Sequence, residues 1–187
     1  YSFDGSISRE VLENYLSRAI TFGELLNIER VEEHLGGGTD DNIRMLTNVG
    51  AKLAGRAIYM WGGESRLDGL LERARPVVGK IHAADPDMVL QAAAFEIVST
   101  QVETLKIPDW VFKEFGLDVE NRNFDYEAML YPDNHRVNQW GRNSSVPDMS
   151  KLETRMWFFY LAARYIDIGV EAIHFGQVEI MDDRDED

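Results

Sequence analysis

Two glutamates stand where carboxylates are expensive. Glu96 falls near the end of Met88–Ile97 (MVLQAAAFEI), and Glu179 near the end of Glu171–Met181 (EAIHFGQVEIM). Both runs are short and mostly apolar, the pattern of parallel strands covered on both faces. A carboxylate there must be paired, hydrogen-bonded or used in chemistry, and paired carboxyls are the usual agents of proton transfer. Strand alternation puts Ile173, Phe175, Gln177 and Glu179 on one face, and Leu90, Ala92, Ala94 and Glu96 on one face of the other strand. Glu96, Gln177 and Glu179 are therefore expected to meet in one cavity. The competing expectation for Glu96 is an inward ion pair with Arg56 that holds neighbouring strands. For Glu179 it is a structural or solvent-exposed role.

The elements that must position these groups alternate. A helix is expected from Ser8, available as N-cap, to Ile20, with Val11, Leu12, Tyr15, Leu16 and Ala19 on its apolar face. Gly36, Gly37 and Gly38 read as a flexible loop, because no Lys-Ser/Thr pair follows as in a phosphate cradle. Thr39 or Asp40 then caps a short helix that stops at Gly50. Lys52–Trp61 (KLAGRAIYMW) reads as the first strand, ended by Gly62 and Gly63. The next helix carries Leu67, Leu70, Leu71, Ala74, Val77, Val78 and Ile81, with Pro76 expected to kink or restart it. After the second strand comes an inserted loop region at about 108–149, irregular and rich in aromatic residues. Ser150 and Glu153 form a capping-box pair ahead of a strong helix that Gly169 closes.

Alternating strands and helices make the fold class α/β with a parallel sheet. Three strands, with a possible fourth before Ser8 or in Leu25–Val31, leave exposed edges, so the expected architecture is a partial (β/α)8 TIM barrel spanning 1–187 as one domain or barrel half. A small complete three-layer domain is the alternative. In either, ligands bind at the carboxyl ends of the strands, from which the insertion departs.

HFGQVEIMD from His174 to Asp182, AAAFE from Ala92 to Glu96, and the Trp and Tyr content of the intervening loop resemble the TIM-barrel glycoside hydrolases. In a large group of these the general acid/base glutamate ends the fourth barrel strand. The resemblance implies that Glu179 is that residue, although Val178 stands where an Asn commonly precedes it. Glycosidic cleavage needs a second carboxyl. The resemblance assigns it to a later strand, and within this chain Glu96 is the comparable partner. Sugars offer C–H faces and dense hydroxyl edges, so Tyr59, Trp61 and Trp140 are candidates for stacking, and Arg56, Asn138 and Gln177 for polar contacts. Tyr59 has a core alternative, and Trp140 an alternative as the pin of the insertion. An oligo- or polysaccharide substrate follows, with no cofactor and with the remaining barrel half as a required partner. A noncatalytic carbohydrate-binding or interaction module is the alternative, and a barrel enzyme of another class the third; no lysine at a strand end supports Schiff-base chemistry.

Other chemistries find little support. The 187 residues contain no cysteine, which removes thiolate nucleophiles, disulfides and Cys-ligated metals. His34, His82, His135 and His174 have no metal-ligand spacing, His82 reads as part of a turn with Asp85 and Asp87, and the acidic tail from Asp182 reads as solvated charge rather than a cation site. Ser144 and Ser145 lack a nucleophile elbow, and no Gly-x-Gly-x-x-Gly follows a strand. A net charge of -14 disfavours nucleic acid and anionic membranes. No apolar run has the length of a membrane span. The sequence leaves the compartment open, secreted or cytoplasmic.

Overall fold

The computed structural model describes residues 5–26 and 38–183. The Gly36–Gly37 part of the glycine run, His34, Leu25–Val31 beyond Leu26, any strand before Ser8 that involves residues 1–4, and the tail beyond Asp183 lie outside them.

Helix α1 (Arg9–Ser17) begins where Ser8 Oγ accepts the Val11 amide at 3.3 Å. It ends three residues before the expected stop, because Ala19–Thr21 forms strand β1 in register with β2 (Leu53–Tyr59). Three residues carry no readable periodicity, so this strand exists only through its partner. Helix α2 (Thr39–Val49) ends at Gly50, whose φ of 69° supplies the left-handed stop. Helix α3 (Leu67–Ala84) runs through Pro76 unbroken, so the helix does not restart there. Strand β3 (Val89–Ala94) follows, and later helix α5 (Leu152–Asp167) and strand β6 (Ala172–Phe175). Between them lie the paired two-residue strands β4 (Val98–Ser99) and β5 (Ser144–Ser145) and the short helix α4 (Asp109–Glu114).

The main sheet is four-stranded and parallel, in the order β1-β2-β3-β6. Among its strands the spatial order follows the chain order, so successive crossovers step one way across the sheet, with no reversal of the kind that defines a doubly wound fold. Between Ala54 and Ile58 the register of β2 against β3 shifts. Arg56 sits in that irregularity, exposed and at a φ of 55°.

Strands two and three of the sequence reading are shorter than expected, for reasons visible in the backbone. The Ile97 amide turns back onto the Phe95 carbonyl at 2.8 Å, a three-residue turn that ends β3 before Glu96. Strand β6 stops at Phe175, and residues Val178–Met181 form a short helix, α6. Glu179 is therefore on a helix, not on a strand as its pattern predicts. The capping box also fails. Helix α5 begins at Leu152, the Ser150 amide is turned onto Asp148 Oδ1 at 2.9 Å, and Glu153 faces Arg122 in a two-point ion pair at 2.7 and 2.9 Å. Gly169 closes the helix as expected, at a φ of 100°.

The chain divides into two compact units, 1–59 with 69–93 and 165–174, and 60–68 with 94–164 and 175–187. The first contains most of the main sheet; Ala54, Ile58, Leu90 and Ala92 are fully buried, and Val77, Val78, Ile81 and Tyr165 of its helices are buried too. Burying such a layer is the main favourable contribution to its stability. The second has its own aromatic core, in which Phe124 meets Trp157 and Tyr160 at ring separations of 5.3 and 5.5 Å. No helix among the described residues is long and apolar enough to cross a membrane.

Candidate functional site

The second unit consists largely of the segments that leave the carboxyl ends of three sheet strands: 60–68 after β2, 94–164 after β3, and 175–187 after β6. Chain connectivity thus gathers into one body the segments that carry ligands in parallel α/β proteins.

Glu96 is its centre. The side chain is 1% exposed, and its carboxylate accepts the Gln177 amide at 2.9 Å and Gln177 Nε2 at 3.2 Å. Gly176 makes that approach possible. A Cβ there would lie 2.0 Å from Glu96 Oε2 and 3.2 Å from the Phe95 Cα, so any side chain would evict the carboxylate. Just past the end of β6, the Gln177 amide finds its acceptor in this carboxylate. Glu96 and Gln177 do meet, as the strand pattern predicts, but as an internal clamp.

The backbone of Glu96 has a further role. Its carbonyl accepts the Trp140 indole N–H at 2.9 Å, so Trp140 ties the insertion to the turn after β3. Trp61 packs edge-on against Phe95 and Trp140, with ring centroids 5.4 and 5.2 Å apart, yet it remains 47% exposed. Trp61 is thus a large aromatic ring held by two others and still open to solvent.

A second buried carboxyl was not singled out from the sequence. Gly62 and Gly63, at φ of 66° and 74°, turn the chain after β2 so that Glu64 points inward, 2% exposed. It accepts the Ser99 amide at 2.8 Å and the Ser99 hydroxyl. Burial pushes its pKa up, partly opposed by the bonds from Ser99. The signal was available in WGGE, where a carboxylate follows a glycine pair at a strand end. Nearby in sequence to β5, the Tyr126 hydroxyl meets Ser145 Oγ at 2.6 Å, and that oxygen accepts the Asn138 amide at 2.8 Å. The Asn138 carboxamide oxygen is occupied by the Asn143 amide at 2.6 Å, so this residue shapes its loop.

Glu179 is exposed in the first turn of α6, two residues beyond Gln177. Residues that follow it are tied to the insertion by Tyr131, His135 and Arg136, none of which the sequence reading singled out. Arg56 and Tyr59 belong to the first unit, Arg56 exposed and Tyr59 half-buried at the end of β2. The structure therefore brings Glu96, Gln177, Trp61 and Trp140 together, with Glu179 on the same segment as Gln177.

His82, rather than serving a turn, pairs with Glu171 at 2.9 Å. Glu171 also accepts the Leu90 amide at 2.8 Å, and burial raises its pKa. Among the described residues, no group of three or more His, Asp or Glu side chains is arranged to hold a metal ion. No family model, no curated protein and no solved structure gives a significant match to this chain.

Proposed function

We propose that this chain forms the amino-terminal part of a carbohydrate-active (β/α)8 barrel, with Glu179 as the general acid/base and Trp61 as the ring that stacks on the sugar. The observation that carries this reading is the Trp61 ring, open to solvent while wedged against Phe95 and Trp140, in the same unit as the exposed Glu179. A proton donor must reach the leaving oxygen of the substrate. Of Glu64, Glu96 and Glu179, the first two are enclosed and bonded, whereas Glu179 is accessible.

The stepwise strand order supports the barrel. A sheet that adds each strand beside the last keeps its crossovers on one face and curls towards closure, while β1 and β6 each retain an edge unpaired among the described strands. Later strands would pair with those edges and supply the second carboxyl that glycosidic cleavage needs. In this division of roles Glu96 fixes Gln177, and Gln177 fixes the start of the segment that presents Glu179. The substrate is an oligo- or polysaccharide, and proton transfer by Glu179 requires no cofactor.

The test is turnover by the full gene product on a glycan panel. Glu179→Gln should lower kcat at least 100-fold on a substrate the parent hydrolyses; unchanged turnover disposes of the assignment. The enclosure of Glu96 and Glu64 also favours a second reading, a noncatalytic carbohydrate-binding module. Calorimetry separates the two: oligosaccharide binding that is lost in Trp61→Ala, with no hydrolysis of any bound sugar by the parent, favours the module.

A further inference from the structure

A four-residue helix cannot sustain itself, since nucleation costs more than its few hydrogen bonds return. Helix α6 is held from outside, and its holders come from one stretch of the insertion. The Tyr131 hydroxyl donates to the Ile180 carbonyl at 3.1 Å, and the Met149 amide donates to the Met181 carbonyl at 2.8 Å. The Asp183 carboxylate meets Arg136 Nε at 2.7 Å and His135 Nε2 at 3.1 Å, with Arg136 Nη2 also on the same oxygen. His135 is itself set edge-on against the Tyr131 ring, 5.2 Å between centroids. Three of the four residues after Glu179 are therefore gripped by residues 131–149. Before it, Gln177 is gripped by Glu96.

The loop accepts an unfavourable backbone to make this grip. Asp133, Asn134, Arg136 and Asn138 all have left-handed φ, from 54° to 61°, a conformation that Asp and Asn tolerate and that strains Arg136. The result brings His135 and Arg136 to one carboxylate, with each of the three side chains less than a third exposed.

We infer that Arg136 and Asp183 are positioning residues: their ion pair sets the pose of α6 and with it the aim of the Glu179 carboxyl. The catalytic consequence rests on the reading of Glu179 as acid/base; the grip on α6 does not. Proton delivery by Glu179 matters for a poor leaving group and hardly at all for an activated one. A misaimed Glu179 therefore has a signature that general damage lacks.

The experiment uses the full gene product and two variants, Asp183→Asn and Arg136→Gly, the second removing the guanidinium while relieving the left-handed strain. Amide hydrogen exchange is read at Met149 and Ile180, with the Ser99 amide, bonded to Glu64, as internal control. Both variants should speed exchange at Met149 and Ile180 about tenfold and leave Ser99 unchanged. Unchanged rates at Met149 and Ile180, or equal acceleration at Ser99, overturn the inference. On aryl glycosides, both variants should lose about tenfold in kcat with a phenol leaving group and little with 2,4-dinitrophenol, following Glu179→Gln. If Glu179→Gln shows this dependence and Asp183→Asn does not, the link from latch to aim is overturned. If Glu179→Gln itself shows none, the acid/base reading fails, while a faster Met149 amide in Asp183→Asn still upholds the latch.

Discussion

Replacing Gly176 by alanine probes the clamp on which the site is built. The added Cβ would stand 2.0 Å from Glu96 Oε2, less than the sum of their radii, and 3.2 Å from the Phe95 Cα, which cannot rotate away. The carboxylate must leave its place, and with it go the bonds to the Gln177 amide and Nε2. Hydrogen bonds to a charged acceptor contribute about 1.5–3 kcal/mol each, and a carboxylate buried without them is worse than none. Part of this is returned by relaxation, so Gly176→Ala is expected to cost about 3 kcal/mol. Glu96→Ala removes the same bonds but also the buried charge, and is expected to cost about 2 kcal/mol. Both act on one interaction, so the double variant should cost less than the sum by about 2 kcal/mol. Urea titration of the parent, both single variants and the double variant measures this cycle through the midpoint and slope. Additivity within about 0.5 kcal/mol would refute the reasoning, since it would mean that Gly176 is required for some reason other than the carboxylate.

Three further outcomes follow from the ion pairs and buried carboxyls. Burial raises the pKa of Glu64, so the folded state binds this proton more tightly than the unfolded one; stability from this group is full below the ordinary value of 4.5 and declines as pH rises through the folded value. The urea midpoint of the parent should accordingly fall more steeply with rising pH above 4.5 than that of Glu64→Gln, and parallel profiles would contradict the assignment. Arg122→Ala leaves the enclosed Glu153 without its two-point partner and should cost about 3 kcal/mol by denaturant titration, with Arg122→Lys recovering less than half because an ammonium cannot match the fork. Glu171→Ala deprives the Leu90 amide of its acceptor and His82 of its acidic neighbour and should lower stability by about 2 kcal/mol, whereas Glu171→Gln retains one acceptor and should lower it by less than half as much.

Periodicity and composition determined the α/β class, and they located most of the main elements, because apolar spacing is set by the geometry of a single helix or strand. Ser8 and Gly50 mark helix ends in the sequence for the same local reason, a side-chain oxygen for an orphan amide and a residue at ease with positive φ. The pairing of Glu96 with Gln177 was also legible as a shared strand face. What local pattern could not reveal was everything decided by a distant partner. Strand β1 exists through its register with β2, and Glu153 is claimed by Arg122 rather than by its own helix end. Glu179 lies on a helix just past the point where the Glu96 carboxylate, brought against Gly176 only by the fold, holds the Gln177 amide. Tertiary structure therefore decided which glutamate is enclosed as scaffold and which faces solvent. The sequence alone placed Glu96 and Glu179 on the segments at and after two strands, because alternation fixes the position of a side chain along its own strand and says nothing of what approaches from another.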